Sequence, residues 1–276
     1  MVGKLFGSVL RISPDVRKTA WQRVYQFLAT HYARLDSWTF MNYGYEPLNP
    51  AHRPLLDAAD EPNRYMIQLY HSVATSVNLA GLDVLEVGSG RGGGASYVKR
   101  YLKPQTMTGI DFSQGATEFS RQRHRVENLT FITGDAEALP FADDAFGAVI
   151  NVESSHCYGS IEHFVAQVHR VLSPGGHFLF ADFRAEEEDA LLRAQLTHSG
   201  LEVVRAVDIT PNVLAALDTY NDVKLAMIQN QVHWSMRGAF QNFAATKGTA
   251  MYEGFKNHSS VYHHYLLRKP SLIKQR

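Results

Sequence analysis

The residues of this chain best suited to chemistry lie between Leu82 and Gly94, in the run Leu-Asp-Val-Leu-Glu-Val-Gly-Ser-Gly-Arg-Gly-Gly-Gly. Leu82, Val84, Leu85 and Val87 read as a buried parallel strand, a glycine loop follows at once, and a helix is expected over residues 95–102. Strand, glycine turn and helix N-terminus make a cradle that lets backbone approach a nucleotide-like ligand closely. Gly88, Gly90 and Gly93 satisfy G-x-G-x-x-G, so a dinucleotide site has to be weighed. Glu86 argues against it. A loop built for pyrophosphate offers N–H groups and a positive helix end, and a carboxylate two residues before the first glycine repels that ligand. The same carboxylate suits a cofactor with an ammonium and a sulfonium and no phosphate, which is S-adenosylmethionine.

Two further strand ends fit that cofactor. Asp111 closes a strand over residues 106–111, where a carboxylate meets ribose hydroxyls, and Phe112 follows it in the same cradle. After a strand over 129–133 comes Gly134-Asp135-Ala136-Glu137-Ala138-Leu139-Pro140-Phe141, in which Asp135 is placed to accept from an adenine amino group and Ala136 to donate its N–H to the ring. A capping aspartate and a capped turn are the bland readings of the same residues. A Rossmann-like dinucleotide domain also often begins near its glycine strand, whereas about eighty residues precede it here.

Strands are expected over 82–87, 106–111, 129–133, 148–152, 177–181 and 201–207, alternating with helices at 113–126, from Ser160, and around 186–198. That alternation specifies a parallel sheet covered on both faces. A closing strand over 261–268 would be antiparallel, at or near the edge. An amphipathic helix is expected over 15–35, and Asp60-Glu61-Pro62 reads as a capped helix start whose helix Gly81 ends. The division expected is an N-terminal helical arm with a cofactor-covering loop (1–60), a core (61–210), a helical cap (211–256) and a closing strand with tail (257–276). The cap carries Tyr220, Met227, Trp234, Met236, Phe240, Phe243, Met251 and Phe255, which suit a greasy, irregular acceptor as well as an ordinary core.

The blocks 82–94, Gly109-Ile110-Asp111, 134–141 and 171–176 resemble the class I S-adenosylmethionine-dependent methyltransferases. Asp60-Glu61-Pro62-Asn63-Arg64, Gly92 to Tyr97 and Asn151-Val152-Glu153-Ser154-Ser155-His156-Cys157-Tyr158 look like the phthiotriol and phenolphthiotriol dimycocerosate methyltransferases, which O-methylate a hydroxyl of a long lipid. The likeness runs from about Trp38 to Phe183 and recurs near 248–269. It implies an α/β fold with a doubly wound, seven-stranded sheet, S-adenosylmethionine as cofactor, and S-adenosylhomocysteine as product. Glu153-Ser154-Ser155-His156 and Ala181-Asp182-Phe183 also resemble the Glu-Ser-x-x-His and Ala-Asp-Phe pair of rebeccamycin-type O-methyltransferases, with a one-residue difference in spacing. That resemblance implies His156 as base and Asp182 as its partner, with Glu153 beside them and Asn151 counted among the cofactor residues. The segment Phe40 to Tyr45 is expected over the methionine end of the cofactor, with Tyr43 near the sulfonium.

The chain has 276 residues, with 27 basic against 27 acidic, so nothing points to nucleic acid. One cysteine, Cys157, excludes an internal disulfide and suits a reducing cytoplasm, and Gly7 and Ser8 interrupt the only apolar start. No apolar stretch reaches the ~20 residues of a membrane span. His163, His169, His233, His263 and His264 form no metal triad, so no metal is expected. The acceptor expected is an apolar polyketide, lipid or similar metabolite carrying a hydroxyl, and the N-terminal arm is a candidate docking element for a second copy of the chain. The rival readings are C-methylation of an alkene, NAD(P)-dependent oxidoreduction, and a cyclase on the same fold.

Overall fold

The structure, a computed structural model, describes residues 38–271. The helix expected over 15–35, and with it the arm's docking role, lies outside the described residues. Seven strands form one sheet: β1 (Asp83–Val87), β2 (Thr106–Asp111), β3 (Leu129–Thr133), β4 (Phe146–Val152), β5 (Leu172–Ala185), β6 (Glu202–Asp208) and β7 (Ser260–Arg268). Their spatial order is β3-β2-β1-β4-β5-β7-β6. Neighbours from β3 through β5 pair in parallel, and β7 runs antiparallel between β5 and β6. The closing strand is therefore next to the edge, and β6 forms the edge itself.

Helices α1 (Arg64–Ala74), α2 (Gly93–Tyr97), α3 (Gln114–Arg123), α4 (Ile161–Val171) and α5 (Glu186–Thr197) flank the sheet. The segment expected as a cap holds α6 (Thr210–Gln231), α7 (Arg237–Phe243) and α8 (Ala250–Lys256). Strand alternation sorts the core into two faces. Val84, Ala148, Ile150, Leu179 and Ala181 pack with Met66, Leu69 and Val73 of α1, Val213 and Leu217 of α6, and Phe255 of α8. Leu85, Val87, Val149, Phe178 and Phe180 face the other way, toward Phe164 and Val168 of α4 and Leu192 and Leu196 of α5. Glu86, between Leu85 and Val87, is thereby turned to the α1 side. No helix among the described residues is long and apolar enough to cross a membrane.

Four local expectations need correction. Asp60 caps nothing: its carboxylate accepts from Arg100 Nη1 at 2.6 Å and Nη2 at 2.8 Å and from the Tyr101 hydroxyl at 2.6 Å, while a 3₁₀ turn (Glu61–Asn63) leads into α1. A two-pronged guanidinium outcompetes local N–H groups for a carboxylate. Helix α1 stops at Ala74, well before Gly81. Strand β5 spans 14 residues, because Leu172 pairs with Phe146 at one end and Asp182–Ala185 pair with β7 at the other. Beyond α2 the chain makes a π-helical turn (Val98–Leu102), so the helix behind the glycine loop is split in two.

Candidate active site

A cavity of about 370 Å³ opens at the carboxyl ends of β1, β2 and β4, where ligands of open α/β sheets bind. Its floor is the glycine loop. The Gly88 and Ser89 N–H groups donate to Ile110 O at 2.8 and 3.0 Å, which fastens the loop across the end of β2. Gly88 has φ +75°, and a Cβ there would lie 2.2 Å from Ser154 Oγ, so only glycine fits. Asp111 clamps the same loop, with Oδ2 accepting from Gly90 N–H and Oδ1 from Ser113 N–H, each at 2.8 Å. Burial raises the Asp111 carboxyl above its ordinary value, against the pull of those two N–H groups. Beside it Phe112 stands 52% exposed on the cavity wall, an unusual place for a bare phenyl ring. Asp135, Ala136 and Glu137 complete that end. Asp135 Oδ1 accepts from Glu137 N–H at 3.0 Å. Trp38 to Asn42 cover the cavity, and Glu153, Ser154, Cys157 and Tyr158 close it on the β4 side.

Of the residues singled out from the sequence, Gly88, Gly90, Asp111, Phe112, Asp135, Ala136 and Glu153 line this cavity; Glu86, Asn151, Tyr43, His156 and Asp182 stand one layer behind it. Glu86 is fully buried, and its Oε1 accepts from the Tyr70 hydroxyl at 2.6 Å. Tyr70 does line the cavity. Its ring occupies the space that a Cβ on Gly94 would need, 2.1 Å away. Burial pushes the Glu86 carboxyl up to about 8, although the Tyr70 hydrogen bond opposes this. Glu86 Oε2 is buried and makes no hydrogen bond of good geometry among the described residues, although the Ala95 N–H is near enough to favour the charged carboxylate. An orphaned carboxylate oxygen at this depth is costly unless a cation joins it. Asn151 is also wholly buried, donating to Val87 O at 2.9 Å, Ser154 Oγ at 2.8 Å and Tyr158 Oη at 3.0 Å, which holds the β4 loop against β1.

Past β4 the backbone turns sharply at Glu153, which has φ +51° without being glycine. Such a conformation costs roughly 1–3 kcal/mol and persists only where surrounding contacts impose it. Here its N–H donates to Ala181 O at 2.8 Å, and Oε2 accepts from Tyr43 N–H at 3.0 Å and the Tyr262 hydroxyl at 3.1 Å. Burial raises the Glu153 carboxyl to about 8. A 3₁₀ turn (Ser155–Cys157) then presents His156, whose Nδ1 lies 2.9 Å from Asp182 Oδ1 at the end of β5. Asp182 is in turn held by Ser155 Oγ at 2.6 Å, His156 N–H at 3.0 Å and Arg184 Nη1 at 3.2 Å. Burial works against charging the imidazole, but the Cys157 sulfur and the Asp182 carboxylate outweigh it and raise its basicity. Burial likewise disfavours the Asp182 carboxylate, yet His156 and Arg184 hold it well below the usual carboxylate range. Aromatic rings surround this pair: His156 lies 4.5 Å from Phe183 between centroids, and Tyr43 lies 5.4 Å from both Phe183 and Phe255.

Sequence reasoning missed Tyr70, which it counted only as helix stripe, and also Tyr262 and Lys224. Gly94 was the available signal for Tyr70, since a glycine inside a helix start marks a close approach.

A family profile described as a methyltransferase domain matches residues 85–180. The phthiotriol/phenolphthiotriol dimycocerosates methyltransferase of Mycobacterium tuberculosis strain H37Rv is 38% identical over 257 residues, covering 93% of this chain and 94% of that protein. The chain belongs to this methyltransferase family. A fatty-acid O-methyltransferase of Mycolicibacterium smegmatis is 37% identical over 261 residues, covering 95% of this chain and 94% of its own length. Among solved structures, the cyclase SpnF superposes with TM-score 0.69 at 22% identity, over 91% of this chain and 96% of that one. The Streptomyces coelicolor geranyl diphosphate C-methyltransferase does so at 0.64 and 16%, over 89% and 98%. Those two likenesses concern the fold, which is the class I methyltransferase α/β fold. The methyltransferase's cofactor is S-adenosylmethionine. The residues present fit it: a buried carboxylate in the β1 layer and a strand-end aspartate in the cavity wall. Membership of a methyltransferase family, with this cofactor, is what sets the nicotinamide alternative aside.

Proposed function

We propose that this methyltransferase transfers the methyl group to a hydroxyl oxygen of an apolar, lipid-type acceptor. The observation that carries the reading is the His156–Asp182 pair, placed beside Cys157 and Glu153 at the β4 wall of the cavity. When bound, S-adenosylmethionine supplies a methyl group on a sulfonium, ready for in-line displacement. Glu86, through Oε2 and through the Tyr70 hydroxyl, would receive the cationic amino-acid tail. Asp111, with one lone pair left on each oxygen, would hold the ribose, Phe112 would flank the adenine, and Asp135 with Ala136 would read its edge. Asn151 acts at one remove, by fixing Ser154 and Tyr158.

An alcohol is a poor nucleophile at neutral pH, so its proton must leave as the new C–O bond forms. His156 takes it at Nε2 while Nδ1–H stays on Asp182 Oδ1, the tautomer which that hydrogen bond enforces. Ser155, the His156 backbone N–H and Arg184 keep Asp182 ionised, so the developing imidazolium is stabilised where it forms. Base catalysis of this kind contributes about 10²–10⁴-fold. Alignment and exclusion of water under the Trp38–Asn42 cover contribute the rest.

Two observations support a lipid-type acceptor: the activities by which the relatives at 37–38% identity are named, and the apolar cluster that Trp38 forms with Ile228, Val232, Met236, Phe240 and Phe243 of the cap segment. The box formed by Tyr43, Phe183, Phe255 and Tyr262 favours one other reading, methylation of alkene carbon through a cationic intermediate. Incubation with ¹³C-methyl donor and lipid extract, followed by NMR of the product, separates them. A label at the O–CH₃ chemical shift is expected, and a C–CH₃ signal overturns the hydroxyl reading.

A further inference from the structure

Lys224 is a cation beside the site to which the roles described above give no task. It lies on α6, near the middle of the cap, half-buried and pointing inward. Its ammonium stands 5.9 Å from the centroid of the Tyr43 ring, the ring that packs on Phe183 and Phe255 in the box around His156. Among the described residues it makes one hydrogen bond, to Ala244 O at 3.2 Å, and no ion pair. Glu153 is near enough to favour its charge electrostatically but does not reach it, and burial pushes its pKa down to about 8. A lysine held under a cap with two unused N–H groups, against an aromatic box, carries a desolvation cost that one carbonyl does not offset. A purely structural side chain at this position would be better served by an apolar residue, or by a stem that snorkels to water.

We propose that Lys224 selects the acceptor, its ammonium receiving a carboxylate that the acceptor carries at a distance from the hydroxyl being methylated. The inference rests on the hydroxyl reading above and narrows it to hydroxylated long-chain acids. Phe183 and Tyr43 lie between Lys224 and His156, so on this proposal the two groups would hold different parts of one molecule. The hydroxyl sits at the imidazole, and the carboxylate sits at the ammonium under α6. Charge pairing in such a half-buried place is worth about 10–100-fold in affinity.

The test uses the full chain, with labelled S-adenosylmethionine and two acceptors: a long-chain hydroxy fatty acid and its methyl ester. The wild-type enzyme is expected to favour the free acid by tenfold or more in kcat/KM. Lys224→Met should abolish that preference chiefly through KM, and Lys224→Arg should retain most of it. Calorimetric titration with S-adenosylhomocysteine checks that each variant is folded, and titration of the loaded protein with the acid reads the pairing without turnover. Equal use of acid and ester by the wild type, or a Lys224→Met enzyme that still prefers the acid, overturns this inference alone. Absence of transfer to the oxygen of either acceptor overturns it together with the hydroxyl reading.

Discussion

Replacing Gly94 by alanine should damage the cofactor site through a residue twenty-four positions away. Gly94 is a helical residue without positive φ, so an isolated helix would gain about 1 kcal/mol from the change. The fold reverses that sign. The new Cβ would stand 2.1 Å from Tyr70 Cε1 and Cζ and 2.5 Å from its oxygen. The ring of a buried tyrosine cannot absorb such an approach by a rotamer change, so it must leave the wall. Overpacking of this kind costs about 1–3 kcal/mol, and losing the Tyr70–Glu86 hydrogen bond about 1–2 kcal/mol more. Net of the helix gain, the loss is about 1–4 kcal/mol, a fall in Tm of about 3–15 °C for a chain of this size. S-adenosylhomocysteine should bind about ten to a hundredfold more weakly by calorimetry. The decisive measurement is a double-mutant cycle with Tyr70→Leu, which removes the colliding atoms. In that background Gly94→Ala should be neutral or slightly stabilising. If it costs as much there as in the wild type, the steric route through Tyr70 is wrong.

Three other outcomes follow from the same geometry. His156→Ala should bind S-adenosylhomocysteine normally yet lose about 10²–10⁴-fold in kcat, read by label transfer; a wild-type rate refutes the base. Because the fold raises His156 above its ordinary value, the free base appears only as pH climbs, so kcat should rise on the alkaline side of neutrality. In Asp182→Asn that limb should move down toward about pH 6.5, with a lower plateau, and an unmoved limb refutes the coupling. Glu86, pushed to about 8, is mostly protonated at pH 7 in the free protein, and a bound ammonium favours its ionised form. Cofactor binding should therefore release close to one proton, seen as a buffer-dependent calorimetric enthalpy, and Glu86→Gln should abolish it. Equal proton release from that variant would place the titrating group elsewhere.

Strands β2 and β3 begin and end at the residues that the apolar runs and their flanking turns indicate, because both signals are local. The start of α4 is equally plain in Ser160, whose Oγ accepts from His163 N–H at 3.1 Å. The far end of β5 was hidden because Asp182 and Arg184 interrupt its apolar pattern, while Tyr262 and Val261 on a distant strand supply the pairing. Asp60 misled for a related reason: its partners Arg100 and Tyr101 lie forty and forty-one residues on. The strand-end acids could be placed from sequence, since a motif fixes them on the loop. Whether a side chain reaches the cavity or stands behind it depends on what packs above, so Tyr70 in the wall and Glu86 at its back were legible only in three dimensions.

The position of β7 has a consequence for how the molecule is made. It is the last strand in sequence yet fills the slot between β5 and β6, so that half of the sheet cannot close until residue 268 has been synthesised. Until then the nine residues His177–Ala185 of β5, which include Phe178, Leu179, Phe180 and Phe183, present an open hydrogen-bonding border, a template for pairing with other nascent chains. A chaperone that covers this border, or slow expression at low temperature, should therefore improve the yield of native protein far more than any change made around the glycine loop.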